Sequence, residues 1–117
     1  MKLRFGFQPQ QRLLKPVDFK YVFKKPAKSV DAYFTVLART NQLTIGRLGL
    51  AIAKKRVKRA VARNRLKRLI RESFRYHQAD LIGIDCVILV QEKIEQASNQ
   101  LLLKSLANHW RRIRRIM

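Results

Sequence analysis

The stretch from Lys54 to Arg71 carries the residues best able to do chemistry. Ten of its eighteen positions are Lys or Arg, and none is Asp or Glu. Charges of one sign packed this closely repel one another unless a polyanion neutralises them. Arginine suits phosphate, because its planar fork donates two parallel hydrogen bonds. Most charge blocks are solvated faces or disordered basic arms, but the spacing argues against both here. At about 100° per residue, Ala62, Leu66, Leu69, Ile70 and Ser73 share one side of a helix, with His77 on that side and Phe74 at its edge. Arg63, Lys67, Arg71 and Arg75 are successive i, i+4 neighbours and form a ridge. Asn64 and Arg68 lie beside the ridge, and Arg65 flanks the opposite edge of the apolar stripe. One face packs and the other presents cations to phosphate.

Bond-breaking chemistry is harder to place. His77 and His109 are the two histidines, and packing or surface roles are the commoner fate of each. The acids are Asp18, Asp31, Glu72, Asp80, Asp85, Glu92 and Glu95, and no two form a recognisable metal pair. Glu72 has the helical spacing to temper Arg68 or Arg75. Cys/His zinc spacing and a glycine-rich phosphate loop are both missing. Cys86, the single cysteine, sits in the apolar run Cys86–Val90 and reads as a small core residue. These residues describe a binder.

The chain has 117 residues, 47% of them hydrophobic, enough for one compact domain over 1–117 with residues 1–15 as an irregular basic N-terminus. Its 27 Lys and Arg against 7 Asp and Glu give a net charge of +20, which points to nucleic acid or an anionic membrane surface. No apolar run approaches the roughly 20 residues that span a bilayer, and Met1–Gln8 lacks a signal-peptide core. A cytoplasmic location without membrane contact is expected.

Six elements must position the basic face. Pro16 suits a helix first turn, and the helix runs to Lys25 before Pro26 stops it, with Phe19, Val22 and Phe23 on one face. Arg12–Leu14 is placed to add a very short strand. Tyr33–Arg39 reads as a strand with Tyr33, Thr35, Leu37 and Arg39 on one face and Phe34, Val36 and Ala38 on the other. Arg47–Lys55 reads as a second, with Leu48, Leu50 and Ile52 on a large apolar face. Its opposite face holds Gly49, Ala51 and Ala53, flanked by Arg47 and Lys55. Small residues there admit either a packed helix or something flat such as a nucleotide. The basic helix follows to about Tyr76. Asp85–Gln91 has the continuous apolar run of a strand buried on both faces. Ser98–Ile116 is a last helix, packing through Leu102, Leu103, Leu106, Trp110 and Ile113. The basic helix thus joins two strands that can be parallel neighbours, and a right-handed crossover is the general rule.

Arg63-Asn64-Arg65-Leu66-Lys67-Arg68, followed by Arg71 and preceded by Ala60, resembles the hallmark of the bacterial ribonuclease P protein family. Gly49-Leu50-Ala51-Ile52-Ala53-Lys54-Lys55 looks like the strand that precedes it in that family, and the likeness extends loosely over nearly the whole chain. The resemblance implies an α+β fold with a small mixed sheet, like the second domain of ribosomal protein S5, with the uncommon left-handed crossover. It implies a protein subunit that binds a catalytic RNA subunit and the 5′ leader of precursor tRNA and assists hydrolytic removal of that leader. Magnesium would belong to the RNA active site, with no cofactor on the protein and no obligate protein partner. By position, Lys54, Lys55, Arg63, Asn64, Arg65, Lys67, Arg68 and Arg71 match the RNA-facing motif. Phe19 and Phe23 match aromatics of the leader cleft, between the first helix and the exposed sheet face. Leu37 stands where relatives often carry an aromatic. Read from the residues alone, Phe19 and Phe23 make an ordinary core pair. A structural RNA-binding protein of the ribosomal kind fits the composition equally well, and a protein nuclease acting alone fits least.

Overall fold

The computed structural model describes residues 9–117. The expectation of a basic, irregular N-terminus lies outside the described residues over positions 1–8. Among the described residues there are three helices, α1 (Pro16–Lys24), α2 (Ala60–His77) and α3 (Asn99–Ile116). Four strands are β1 (Ala27–Val30), β2 (Phe34–Thr40), β3 (Arg47–Ala51) and β4 (Ile84–Val90). Short 3-10 turns occupy Pro9–Gln11, Gln78–Leu81 and Glu92–Gln96.

The strands form one mixed sheet in the order β1-β2-β4-β3. β3 and β4 are parallel neighbours joined through α2, while β1–β2 and β2–β4 are antiparallel. β4 lies at the centre and is buried nearly throughout, as its unbroken apolar run requires. The α+β class and the parallel pair agree with the sequence reading.

Two expectations need correction. Helix-strand-strand-helix-strand-helix omits β1, whose four residues follow Pro26 and include one β-branched residue, Val30. β1 is fixed by distant partners instead. Ser29 Oγ lies 2.6 Å from Nδ1 of buried His109 on α3, and Arg112 donates to Ser29 Oγ at 3.0 Å. His109 Nε2 lies 3.1 Å from Asp31 Oδ2. Burial lowers the His109 pKa, and the Asp31 carboxylate offsets that only in part. Burial alone would raise Asp31, but hydrogen bonds from Ser105 and from the Phe34 and Tyr33 amides outweigh it and leave its pKa lowered. His109 is therefore a core histidine in a polar network. The second correction is the length of β3. It ends at Ala51 rather than Lys55, because Ala53 C=O accepts from both Arg56 and Val57 and closes a turn.

The two sheet faces have different owners. Phe34, Val36, Ala38, Leu48, Cys86 and Ile88 point to α2 and α3, packing on Leu66, Ile70, Phe74, Leu106 and Trp110. Cys86 is fully buried, and burial pushes its thiol pKa well above the ordinary range. Leu37 and Val87 point to the other face, where Val22 of α1 and Leu13 cover them. Leu13 is ordered because its N–H donates to Leu48 C=O at 2.9 Å and Arg12 bridges Leu48 in parallel. The Arg12–Leu14 segment thus contributes an isolated bridge on the outer edge of β3.

Candidate nucleic-acid interface

Cross-strand register divides the α1 face of the sheet into rows. Arg39, Asp85 and Arg47 form one, Lys28, Leu37, Val87 and Gly49 the next, and Val30, Thr35, Leu89 and Ala51 the third. A nine-residue helix rises only about 13 Å, so α1 covers the first two rows and leaves the third open. Polar contacts hold α1 in place over the first row. Arg39 donates to Tyr21 C=O at 2.8 Å and lies 4.0 Å over the Tyr21 ring, while Tyr21 Oη donates to Thr40 C=O at 2.8 Å. Arg47 bonds Asp85 through two nitrogens and lies 3.9 Å from Asp18 in the first turn of α1.

Gly49 lies directly beneath α1. A Cβ there would stand 2.8 Å from Cζ of Phe19, so close packing of an aromatic ring explains this glycine. Ala51 and Ala53 have a different environment: they line an open cleft of about 660 Å³ with Phe23, Leu37 and Leu89. Lys24, Lys28, Lys55 and Arg56 also line it. Phe19 and Phe23 stack with centroids 6.4 Å apart, yet they serve different surfaces. Phe23 is 45% exposed and lines the cleft. Phe19 is half-buried over Gly49 and Leu13 and borders a separate hollow with Lys67 and Arg71. Leu37 is buried and lines the cleft wall beneath Phe23.

The basic helix divides its motif residues in a similar way. Leu66, Ile70, Ser73 and Phe74 are buried, and Ala62 and Leu69 pack against them. The apolar stripe is as the spacing predicts, with Phe74 wholly inside rather than at its edge. Asn64, Lys67, Arg68 and Arg71 converge with Arg12, Glu72 and Arg75 on an open depression of about 510 Å³. Burial and the neighbouring Arg12 lower the pKa of Arg71. Glu72 accepts from Arg75 at 3.2 Å, one of the two pairings its spacing allows. Arg63 leaves the ridge: its guanidinium donates to the carbonyls of Val57 and Lys58 at 2.9 and 2.8 Å, bracing the turn before α2. Arg65 reaches the other way, to Ala97 C=O at 3.3 Å. Lys54 is exposed in that turn, and Lys55 lines the cleft rather than the ridge. Arg12 was missed because nothing in its local sequence ties it to α2; the Arg12–Leu48 bridge brings it there.

The first turn of α2 holds no acidic residue, although the helix dipole favours negative charge there. Lys58 and Arg59 raise the positive potential further. Among the described residues no three His, Cys, Asp or Glu side chains gather as a metal site needs. No described helix is long and apolar enough to cross a membrane. Fold and surface define an α+β domain built to hold a polyanion.

A model of the family described as Ribonuclease P matches residues 7–114. The ribonuclease P protein component of Methylococcus capsulatus is 45% identical over 106 residues, covering 91% of this chain and 83% of that protein. The Thermotoga maritima RNase P protein superposes with a TM-score of 0.78 at 32% identity, covering 87% of this chain and 96% of that one. The Staphylococcus aureus RNase P protein gives 0.80 at 27% identity, covering 86% and 93%. This chain belongs to the ribonuclease P protein family. That membership decides against the ribosomal alternative.

Arg68 is exposed and makes no hydrogen bond or ion pair among the described residues. Arg68→Ala is therefore expected to leave the melting temperature unchanged while weakening RNA binding. Its plot of log affinity against log salt should be shallower by roughly one unit or less. A lower melting temperature with unchanged affinity and slope would make Arg68 a structural residue.

Proposed function

We propose that this chain, as the protein component of ribonuclease P, holds two RNAs on two surfaces. The depression along α2 takes phosphates of the catalytic RNA subunit through Asn64, Lys67, Arg68 and Arg71. The cleft between α1 and the open sheet row takes the single-stranded 5′ leader of precursor tRNA. Hydrolysis of the phosphodiester, with its magnesium ions, falls to the RNA subunit, and a cytoplasmic site of action accords with that role. One observation carries this reading. The cleft and the depression share no lining residue, and they differ in kind. Five of the seven residues lining the depression are cations, with Asn64 and Glu72 the others, an excess of the sign that duplex phosphates require. The cleft pairs an aromatic and an apolar floor with a cationic rim, as a single strand requires.

Reconstitution with the cognate RNA subunit and magnesium tests it. The protein alone is expected to leave precursor tRNA intact, and the holoenzyme to cleave it. Phe23→Ala should weaken holoenzyme binding of precursor tRNA by about 1–3 kcal/mol, the loss of one base stack. Mature tRNA should bind as before, and the half-exposed ring should cost little stability. Robust cleavage by nuclease-free protein, or an unchanged ratio of precursor to mature affinity, would overturn the proposal.

A further inference from the structure

α3 carries a row of cations that neither RNA surface described above uses. Lys104, Arg111, Arg112, Arg114 and Arg115 lie on it with no acidic residue among them. Arg114 pairs with Asp80 at 3.1 Å. The chain's other six acids face Arg47, Arg56, Arg59, Arg75 or His109. Lys104, Arg111, Arg112 and Arg115 therefore have no ion-pair partner among the described residues. At helical spacing Lys104, Asn108, Arg111 and Arg115 form one exposed ridge that rises about 16 Å. A helix dipole favours cations only in the last turn, and solubility needs no fixed geometry. Two of these guanidiniums are fixed nonetheless. Arg111 donates to Asn108 Oδ1 at 2.8 Å, and Arg112 donates to Ser29 Oγ at 3.0 Å and Val30 C=O at 3.4 Å. Cations held in this way lose little freedom when an anion arrives.

The course of the cleft indicates which anion. It crosses the whole sheet, from Lys28 on β1 past Thr35 and Leu89 to Lys55 beyond β3. The depression assigned to the RNA subunit lies at the β3 edge, where Arg12 bridges Leu48. The junction of leader and tRNA, where the RNA subunit cuts, therefore belongs at the Lys55 end, and the far end of the leader leaves over β1. There Ser29, next to Lys28, ties β1 to Arg112. We propose that the α3 ridge is a phosphate-binding track for leader nucleotides that extend past the cleft. They reach it across the β1 edge at Arg112 and follow Arg111 and Arg115. The ridge contacts backbone and no base, so it adds affinity with leader length and not with leader sequence. This inference rests on the cleft being the leader site.

The test uses reconstituted holoenzyme and two precursor tRNAs, one with a short leader that ends within the cleft and one with a leader that runs well past it. Wild-type holoenzyme should bind the long-leader precursor about fivefold more tightly. Arg111→Ala combined with Arg115→Ala should bring the two within about twofold of each other. It should also make the salt dependence for the long leader shallower by roughly one unit. Short-leader precursor, mature tRNA and the RNA subunit should bind as before. Arg115→Glu should make the long leader bind more weakly than the short one, a reversal that neither solubility nor helix stability produces. If loss of both arginines unsettles the end of α3, Arg115→Glu alone carries the same measurement. Equal wild-type affinity for the two leaders, or a length gain that the double variant keeps, overturns the inference, as does a loss confined to RNA-subunit binding. If Phe23→Ala still lowers the ratio of short-leader precursor to mature affinity, the leader site stands and only the track along α3 falls. If that ratio is also unchanged, both fall together.

Discussion

Trp110→Ala is expected to destabilise the protein by about 3–5 kcal/mol, the usual cost of emptying a large aromatic from a core. Trp110 is fully buried where α3 meets α2. Its ring meets that of Phe74 edge-on, with centroids 5.8 Å apart at 81°. Its indole N–H donates to Ser73 Oγ at 2.8 Å. Truncation therefore opens a cavity and strips a buried hydroxyl of its donor, a further cost of about 1–3 kcal/mol if no water enters. A thermal melt should shift down by about 10 °C or more. Trp110→Phe keeps most of the ring and should lose less than half as much. Because Trp110 faces away from the depression lined by Arg68 and Arg71, the folded fraction should bind the RNA subunit with wild-type affinity. This is the reverse of the Arg68→Ala pattern, and the two together separate support from contact. A Trp110→Ala loss below about 1 kcal/mol would mean that α3 does not brace α2 as described.

The same helix shows which features local sequence can carry. The α2 stripe repeats at helical spacing, so Leu66, Ile70 and Ser73 are legible as its inner side. Burial of Ser73 makes sense only with Trp110, 37 positions on, as its donor. Spacing also places Arg63 on the outer ridge, correctly as an angle around the helix. Its side chain then turns back to carbonyls five and six residues earlier, because the turn before α2 leaves them unpaired. Angle around a helix is local information, and the side chain's partner is not. β1 makes the same point at the level of an element. Nothing within Ala27–Val30 demands a strand, whereas His109 and Arg112, some 80 residues later, fix Ser29 in place. On the cleft face, alternation groups Thr35 with Leu37 on one strand and Gly49 with Ala51 on the other, but only the cross-strand register puts the two groups on one side of the sheet. Alternation could not separate Phe19 from Phe23, because one helical turn carries the first over Gly49 and the second past the covered rows.

Asp85→Ala is expected to cost about 3–5 kcal/mol, the range for removing one partner of a buried ion pair. The Asp85 side chain is fully buried and accepts from Arg47 Nε at 2.8 Å, Arg47 Nη2 at 2.7 Å and Asn41 Nδ2 at 2.7 Å. Arg47 is 22% exposed, so its charge cannot simply move into water. The hydrogen bond to Asp85 raises the Arg47 pKa against the opposing pull of burial. A guanidinium stays protonated at neutral pH without that help, so once the carboxylate is gone the mostly buried charge keeps only the longer contact to Asp18 at 3.9 Å. Asp85→Asn retains an acceptor and the shape but not the charge, and should fall between wild type and Ala. Replacing both partners, as Arg47→Met with Asp85→Leu, should recover much of the loss, since desolvation of the pair opposes its attraction. A double-mutant cycle by urea denaturation measures that coupling directly. The effect should also reach the cleft. Arg47 faces Asp18 in the first turn of α1, so an unanchored Arg47 loosens the helix that carries Phe23. At a temperature where Asp85→Ala is still folded, its holoenzyme should bind the RNA subunit normally but discriminate precursor from mature tRNA less well. A single-variant loss under about 1 kcal/mol would show the pair to be dispensable. A large loss with full discrimination would confine its role to the sheet and leave α1 held by Tyr21 and Arg39.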